Sequence, residues 1–152
     1  MKVEKLVQYI LNTFDSVATK NAYGETTFFY NPGGKLPSGS YFFTIKEKDG
    51  PNDKSSNLNR EGFYRLSFKP SPSTYKKFFG EKPKRPIKGK HIKSEFNLSE
   101  ENVWMPHSVY AWMGWTMVIN PTSQKIKEIW PYIEEAYTQA KKNFEKRTDY
   151  WA

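Results

Sequence analysis

The residues best equipped for chemistry lie between Met105 and Trp115, where one proline, one of the chain's two histidines and three aromatic residues share eleven positions. His107 is the leading candidate among them. An imidazole changes charge near neutral pH, which suits acid–base work or ligand binding. Pro106 stiffens the approach to it, and Tyr110 and Arg65 are companions that strand pairing could bring near. The same histidine could instead hydrogen-bond the backbone and pin the loop before a strand. No second histidine stands close by and the segment matches no nucleophile motif that would favour catalysis. Trp104, just before the segment, and Trp112, within it, could wall a pocket for a planar or apolar ligand, or could fill the core.

Other chemistries find less support. The second histidine, His91, sits among lysines that would repel a cation, and no carboxylate cluster accompanies His107, so no metal site is expected. Gly33-Gly34 lies in a turn without the following helix that a phosphate cradle uses, and no cofactor is expected. There is no cysteine, which excludes disulfides, zinc–thiolate sites and thiol nucleophiles. The net charge of +8 is concentrated. Residues 76–93 hold eight bases against Glu81 and carry +7, leaving +1 for the rest of the chain. Lys82, Lys84, Arg85, Lys88, Lys90 and Lys93 could contact nucleic acid nonspecifically by displacing counterions from phosphate. A solvated lysine-rich loop reads the same way in sequence.

The elements that must position these residues follow from pattern. Val3, Leu6, Val7, Ile10, Leu11, Phe14 and Val17 follow the spacing of one apolar helix face, with the helix itself over about residues 2–15. Strands are predicted at 26–30, 41–46, 62–68 and 115–119, each bounded by Gly, Pro, Asn or Asp. In the third, Tyr64, Leu66 and Phe68 should face the core, and in the fourth Trp115, Met117 and Ile119 share a face that puts Trp115 in the core. Ser71 or Ser73 caps a short helix that Gly80 ends. Pro83, Pro86 and Gly89 make residues 81–94 an exposed basic loop. Thr122 or Ser123 opens a last helical region carrying Ile126, Ile129, Trp130, Ile133, Ala136, Tyr137, Ala140 and Phe144. Pro131 should break or kink it. The order α-β-β-β-α-β-α predicts an α+β fold: one globular domain spanning 1–152, with a four-stranded, mainly antiparallel sheet packed against N- and C-terminal helices.

Hydrophobic residues make up only 37% of the chain, but 17% are aromatic, enough for a ring-rich core. The N-terminus enters an amphipathic pattern directly rather than a signal peptide, and no stretch approaches a membrane span. A cytoplasmic protein without membrane association is expected.

Four ordered segments resemble a known family: Thr27-Phe28-Phe29-Tyr30-Asn31-Pro32-Gly33, Phe42-Phe43-Thr44-Ile45, Leu58-Asn59-Arg60-Glu61-Gly62-Phe63-Tyr64-Arg65-Leu66, and Met105-Pro106-His107-Ser108-Val109-Tyr110-Ala111. Together they resemble the small bacterial domain-of-unknown-function family six-one-nine-four. The chain departs from that family's usual pattern at Asn59, Glu61 and Ser108, and its basic loop is not part of the pattern. The element order is also similar, more distantly, to the MmcQ/YjbR-like fold, whose members are often labelled DNA-binding. The resemblance implies no assigned activity. The leading expectation is a non-catalytic binding module for a small ligand or nonspecific nucleic acid. The alternatives are an enzyme using His107 as acid or base, and a protein-interaction module exposing aromatics of residues 104–112.

Overall fold

The structure is a computed structural model, and it describes residues 1–87 and 94–151. Helix α1 (Val3–Thr13) leads into an antiparallel hairpin of β1 (Val17–Ala22) and β2 (Glu25–Tyr30). Tyr23 and Gly24 both take positive φ at its tip, as a two-residue turn matched to strand twist requires. Then come β3 (Ser40–Lys46), β4 (Arg65–Phe68), α2 (Pro72–Phe79), the two-residue β5 (Met105–Pro106), β6 (Thr116–Ile119) and α3 (Ser123–Trp151). The strands form one antiparallel sheet in the order β1-β2-β3-β4-β6-β5.

The sheet therefore has six strands, not the four expected from sequence, although the α+β class stands. Both additional strands lack the usual signal. β1 is an edge strand whose residues after Val17 are all exposed, so no apolar alternation marks it. β5 is too short to show a period. A second difference concerns Pro131, which lies inside a single continuous α3. Its ring removes one backbone hydrogen bond there without ending the helix. Thr122 caps this helix, its Oγ1 accepting from the Lys125 N–H at 3.1 Å, and Ser71 caps α2 by accepting from the Thr74 N–H at 3.2 Å.

One face of the sheet carries the core. Leu6 and Ile10 of α1 and Ile126, Ile129, Ile133, Ala136, Ala140 and Phe144 of α3 pack on Phe28, Phe43, Ile45, Leu66, Phe68 and Val118. Tyr64, Leu66 and Phe68 face this core as their alternation predicts, whereas β6 turns Val118 to it and so sends Trp115, expected in the core, to the opposite face. Phe14 stacks on Trp130 and Tyr137 and meets Phe42 edge-on. Phe42 reaches the core through a bulge: Phe28 pairs with Phe43 and Phe29 with Tyr41, leaving Phe42 as the extra residue. Both Phe42 and Phe43 then belong to the core, and Tyr41 is turned to the opposite face.

Because Phe28 is fully buried against Phe43, Phe28→Ala should destabilise the fold by about 3–5 kcal/mol, whereas Thr19→Ala on the exposed edge strand should change it by less than about 0.5 kcal/mol. Urea unfolding midpoints of the two variants check this. Equal effects would contradict the assignment of the core to the helix-covered face.

Candidate functional site

The face of the sheet opposite the helices is polar where it is buried. Alternation along β4 sends Leu66 and Phe68 into the core, so Arg65 and Ser67 leave on the other side. Two loops cover them: residues 49–58, between β3 and β4, and residues 107–115, between β5 and β6.

Arg65 is fully buried. Its Nη1 and Nη2 donate to the Oδ1 and Oδ2 of Asp53 at 2.9 and 2.6 Å, a bidentate pair. Nη1 also donates to Ser56 Oγ at 3.0 Å and to Ser108 Oγ at 3.4 Å, and the Ser108 hydroxyl donates to Asp53 Oδ1 at 3.3 Å. One guanidinium thus ties both covering loops to the central strand. Burial would raise the Asp53 pKa, but the hydrogen bonds and charge of Arg65 outweigh it and bring the carboxyl down to about 2.

His107 fixes the second loop. Its N–H donates to the Trp115 carbonyl at 2.9 Å, its own carbonyl accepts from the Ala111 N–H at 3.2 Å, and its Nδ1 accepts from the N–H groups of Val109 and Tyr110 at 3.0 and 3.1 Å. An imidazole nitrogen that accepts twice carries no proton, so the proton is assigned to Nε2. Burial drives the His107 pKa well below its ordinary value, and the Arg65 charge and, more weakly, Lys46 add to this against the opposing pull of Asp53. The ring is a neutral Nε2–H donor, and no described residue accepts from it.

His107 also lines a cavity of about 420 Å³ between the covering loop and the sheet. Thr27, Thr44 and Ser67 line it from three adjacent strands, Phe29, Tyr41 and Trp115 supply rings, and Tyr110 and Met113 close it from the loop. Tyr41 stacks on Trp115 with centroids 5.5 Å apart. Ser67 Oγ is buried without a hydrogen-bond partner among the described residues. Glu25 lies at the end where this cavity adjoins a groove reaching Lys20 and the buried Lys46.

The residues singled out in sequence are distributed unevenly. Arg65, His107 and Tyr110 come together here, but Trp104 and Trp112 do not. Trp104 stacks on Phe68 and Tyr132 on the helix side of the sheet, and Trp112 sits in the 3-10 turn Ala111–Met113 with the Arg85 guanidinium 4.6 Å from its ring centre. Lys82, Lys84 and Arg85 are exposed, while Lys88, Lys90, Lys93 and His91 lie outside the described residues. No group of three or more potential metal ligands occurs among the described residues, and none of their helices is long and apolar enough to cross a membrane. Sequence reasoning missed Asp53, Ser56, Thr27, Thr44, Ser67, Phe29 and Tyr41. A signal existed for the strand residues, since each alternates with a core side chain.

The ionisation of this cluster sets an acid dependence. A carboxyl held below its ordinary 3.8 in the folded state contributes stability that is present above about pH 4 and lost as the pH falls through about 2. That contribution is on the order of 2 kcal/mol. His107 acts in the same direction at higher pH: its folded pKa lies below the ordinary 6.5, so stability declines as the pH drops below that value. Urea midpoints measured from about pH 7.5 downward should fall in two stages. His107→Gln should remove the upper stage only, and a wild-type profile flat through the upper range would contradict a neutral buried imidazole.

Neither a curated protein nor a solved structure matches the chain, and a relation to the MmcQ/YjbR-like fold is not shown. A family model does match, over residues 1–149. The chain belongs to the Family of unknown function (DUF6194).

Proposed function

We propose that the chain is a non-catalytic binding module that holds a small ring-bearing ligand in the cavity between the sheet and residues 107–115. The observation that carries this reading is Ser67. Its hydroxyl lines the cavity, is 1% exposed as a residue, and has no partner among the described residues. An unsatisfied buried hydroxyl costs about 1–3 kcal/mol, a cost that a ligand group bonded to it would remove. The volume of about 420 Å³ fits the range of small-molecule sites. The rings of Phe29, Tyr41 and Trp115 supply contact area, and Nε2–H of His107 supplies a donor for a ligand acceptor. Three of the four segments that carry the family resemblance line the cavity, through Thr27 and Phe29, Thr44, and His107 with Tyr110, and the fourth supplies Arg65, which bonds to Ser108 of the covering loop.

Binding is favoured over acid–base catalysis by the state of His107. Its Nδ1 is taken up by two backbone donors, and no described hydroxyl is hydrogen-bonded to the ring. The nearby Ser108 hydroxyl is directed to Asp53 instead.

Ser67→Ala separates this reading from a purely structural one. Without ligand it should stabilise the fold by about 1 kcal/mol or more, because it deletes an unpaired polar group. With isoquinolin-1-one as a neutral ring probe, wild type should show saturable NMR shifts at the Trp115 indole and the His107 ring, and the variant should bind about fivefold more weakly. Destabilisation by Ser67→Ala, with no probe-induced shift at either residue, would sink the proposal.

A second reading, nonspecific contact with single-stranded nucleic acid, is favoured by one arrangement: the exposed Lys82, Lys84 and Arg85, with Arg85 over the Trp112 ring. On this reading a thymine-only single strand binds at low salt, and changing these three residues to Ala makes the log K against log salt slope shallower by roughly two. Absence of binding at low salt removes it.

A further inference from the structure

A second hollow, of about 550 Å³, lies behind the Tyr41–Trp115 stack, between the start of β3, residues 69–72 and the later turns of α3. Its lining includes Lys69, Lys146 and Arg147 and no carboxylate. The cations come from separate parts of the chain. Lys69 follows β4, whereas Lys146 and Arg147 lie one after the other on α3. Lys82, beyond α2, joins them through Gly114. This glycine has φ of +89°, and a Cβ on it would stand 3.5 Å from Lys69 Cε and 3.6 Å from Lys82 Cδ. Both lysine stems therefore lie across the same short stretch of backbone.

Gathering like charges in this way is unfavourable unless something offsets it. Ion pairs among the described residues involve Arg65, Lys76 and Lys125, and none involves Lys69, Lys82, Lys146 or Arg147. The strain shows on Lys69, whose pKa is lowered by its partial burial and then by the charge of Lys82. Hydrogen-bond donors are also in place. Arg147 Nη1 is held by the Gly39 carbonyl at 2.9 Å, leaving the rest of the guanidinium fork available. Asn143, also in the lining, uses its Oδ1 to accept from Gln139, which leaves its amide N–H groups free to donate.

We propose that this hollow is an oxyanion site, distinct from the His107 cavity, which takes the phosphate or carboxylate group of a small ligand on Lys69, Asn143, Lys146 and Arg147. A bound oxyanion would neutralise the Lys69–Lys82 repulsion and complete the donors of Asn143 and Arg147. Charge-assisted bonds to Arg and Lys are the stronger kind, and the fork of Arg147 matches either group in a bidentate manner.

The test uses the full chain and two probes, inorganic phosphate and acetate, each compared with chloride at equal ionic strength. The Lys69 side-chain Cε resonance is followed through its titration by NMR. The site predicts a saturable rise of the Lys69 pKa with at least one probe, together with a shift of the neighbouring Trp115 indole. The probe that produces it identifies the group recognised. Lys69→Gln and, separately, the exposed Lys146→Gln should each weaken binding of that probe about tenfold. Lys125→Gln, at a lysine paired with Glu128 elsewhere, should leave binding unchanged. The proposal is overturned if chloride gives the same shift, if neither probe moves Lys69, or if Lys146→Gln binds as wild type does. Trp115 borders both cavities, but the isoquinolin-1-one experiment is decided at the His107 ring and this one at Lys69, so either site can fail without the other.

Discussion

The ion pair between Arg65 and Asp53 is the constraint on which the arrangement of the second face depends. A guanidinium with no exposed surface would be costly to bury alone, since effective desolvation amounts to several kcal/mol per ion. Here the cost is offset by two parallel bonds to one carboxylate and by the hydroxyls of Ser56 and Ser108. Those partners sit in two different loops. To keep Nη1 and Nη2 of Arg65 paired, both loops must stay down on the sheet. The residues that the second loop carries, His107, Tyr110 and Met113, then stand over Thr44 and Ser67 with a cavity between.

The two faces of the sheet divide the work. The helix side is apolar, built from rings and aliphatic side chains packed against the strands. The other side carries the polar residues of the same strands, and what it holds is determined by alternation: Phe28 against Phe29, Ile45 against Thr44, Leu66 against Ser67. The bulge at Phe42 interrupts this alternation. It keeps Phe42 and Phe43 together in the core and sets Tyr41 beside Trp115, a stack that walls both the His107 cavity and the basic hollow. Other residues of the family segments have conformational roles. Arg60 donates to the carbonyls of Asn57, Ser56 and Ser99 and lies over Phe63, and Gly62 takes the positive φ that follows.

Much of the scaffold was legible in the sequence. Leu6, Ile10, Ile126, Ile133 and Ala140 announce their helices by spacing, and Tyr64, Leu66 and Phe68 announce a core-facing strand. β1 was hidden because an exposed edge strand has no apolar face to display, and β5 because two residues have no period. Arg65 and His107 stood out by residue type, yet their partner Asp53 did not. It lies in a polar loop where nothing local distinguishes it from Asp49, and only the folded chain brings it to a strand twelve residues on. Trp104 and Trp112 show the converse. Their type suggests a pocket wall, but packing on Phe68 and Tyr132 places the first with the core, and Arg85 covers the second.

Amide hydrogen exchange of Arg65→Met tests the dependence on the ion pair most directly. Removing the cation leaves Asp53 part-buried without its partner and frees Ser56 and Ser108. The amides of Leu58, His107, Val109 and Tyr110, each hydrogen-bonded within or beside the covering loops, should lose protection while those of β2 and β3 over the aromatic core keep theirs. Unchanged protection at Val109 and Tyr110 would contradict the account, because it would show that the second face holds its shape without Arg65.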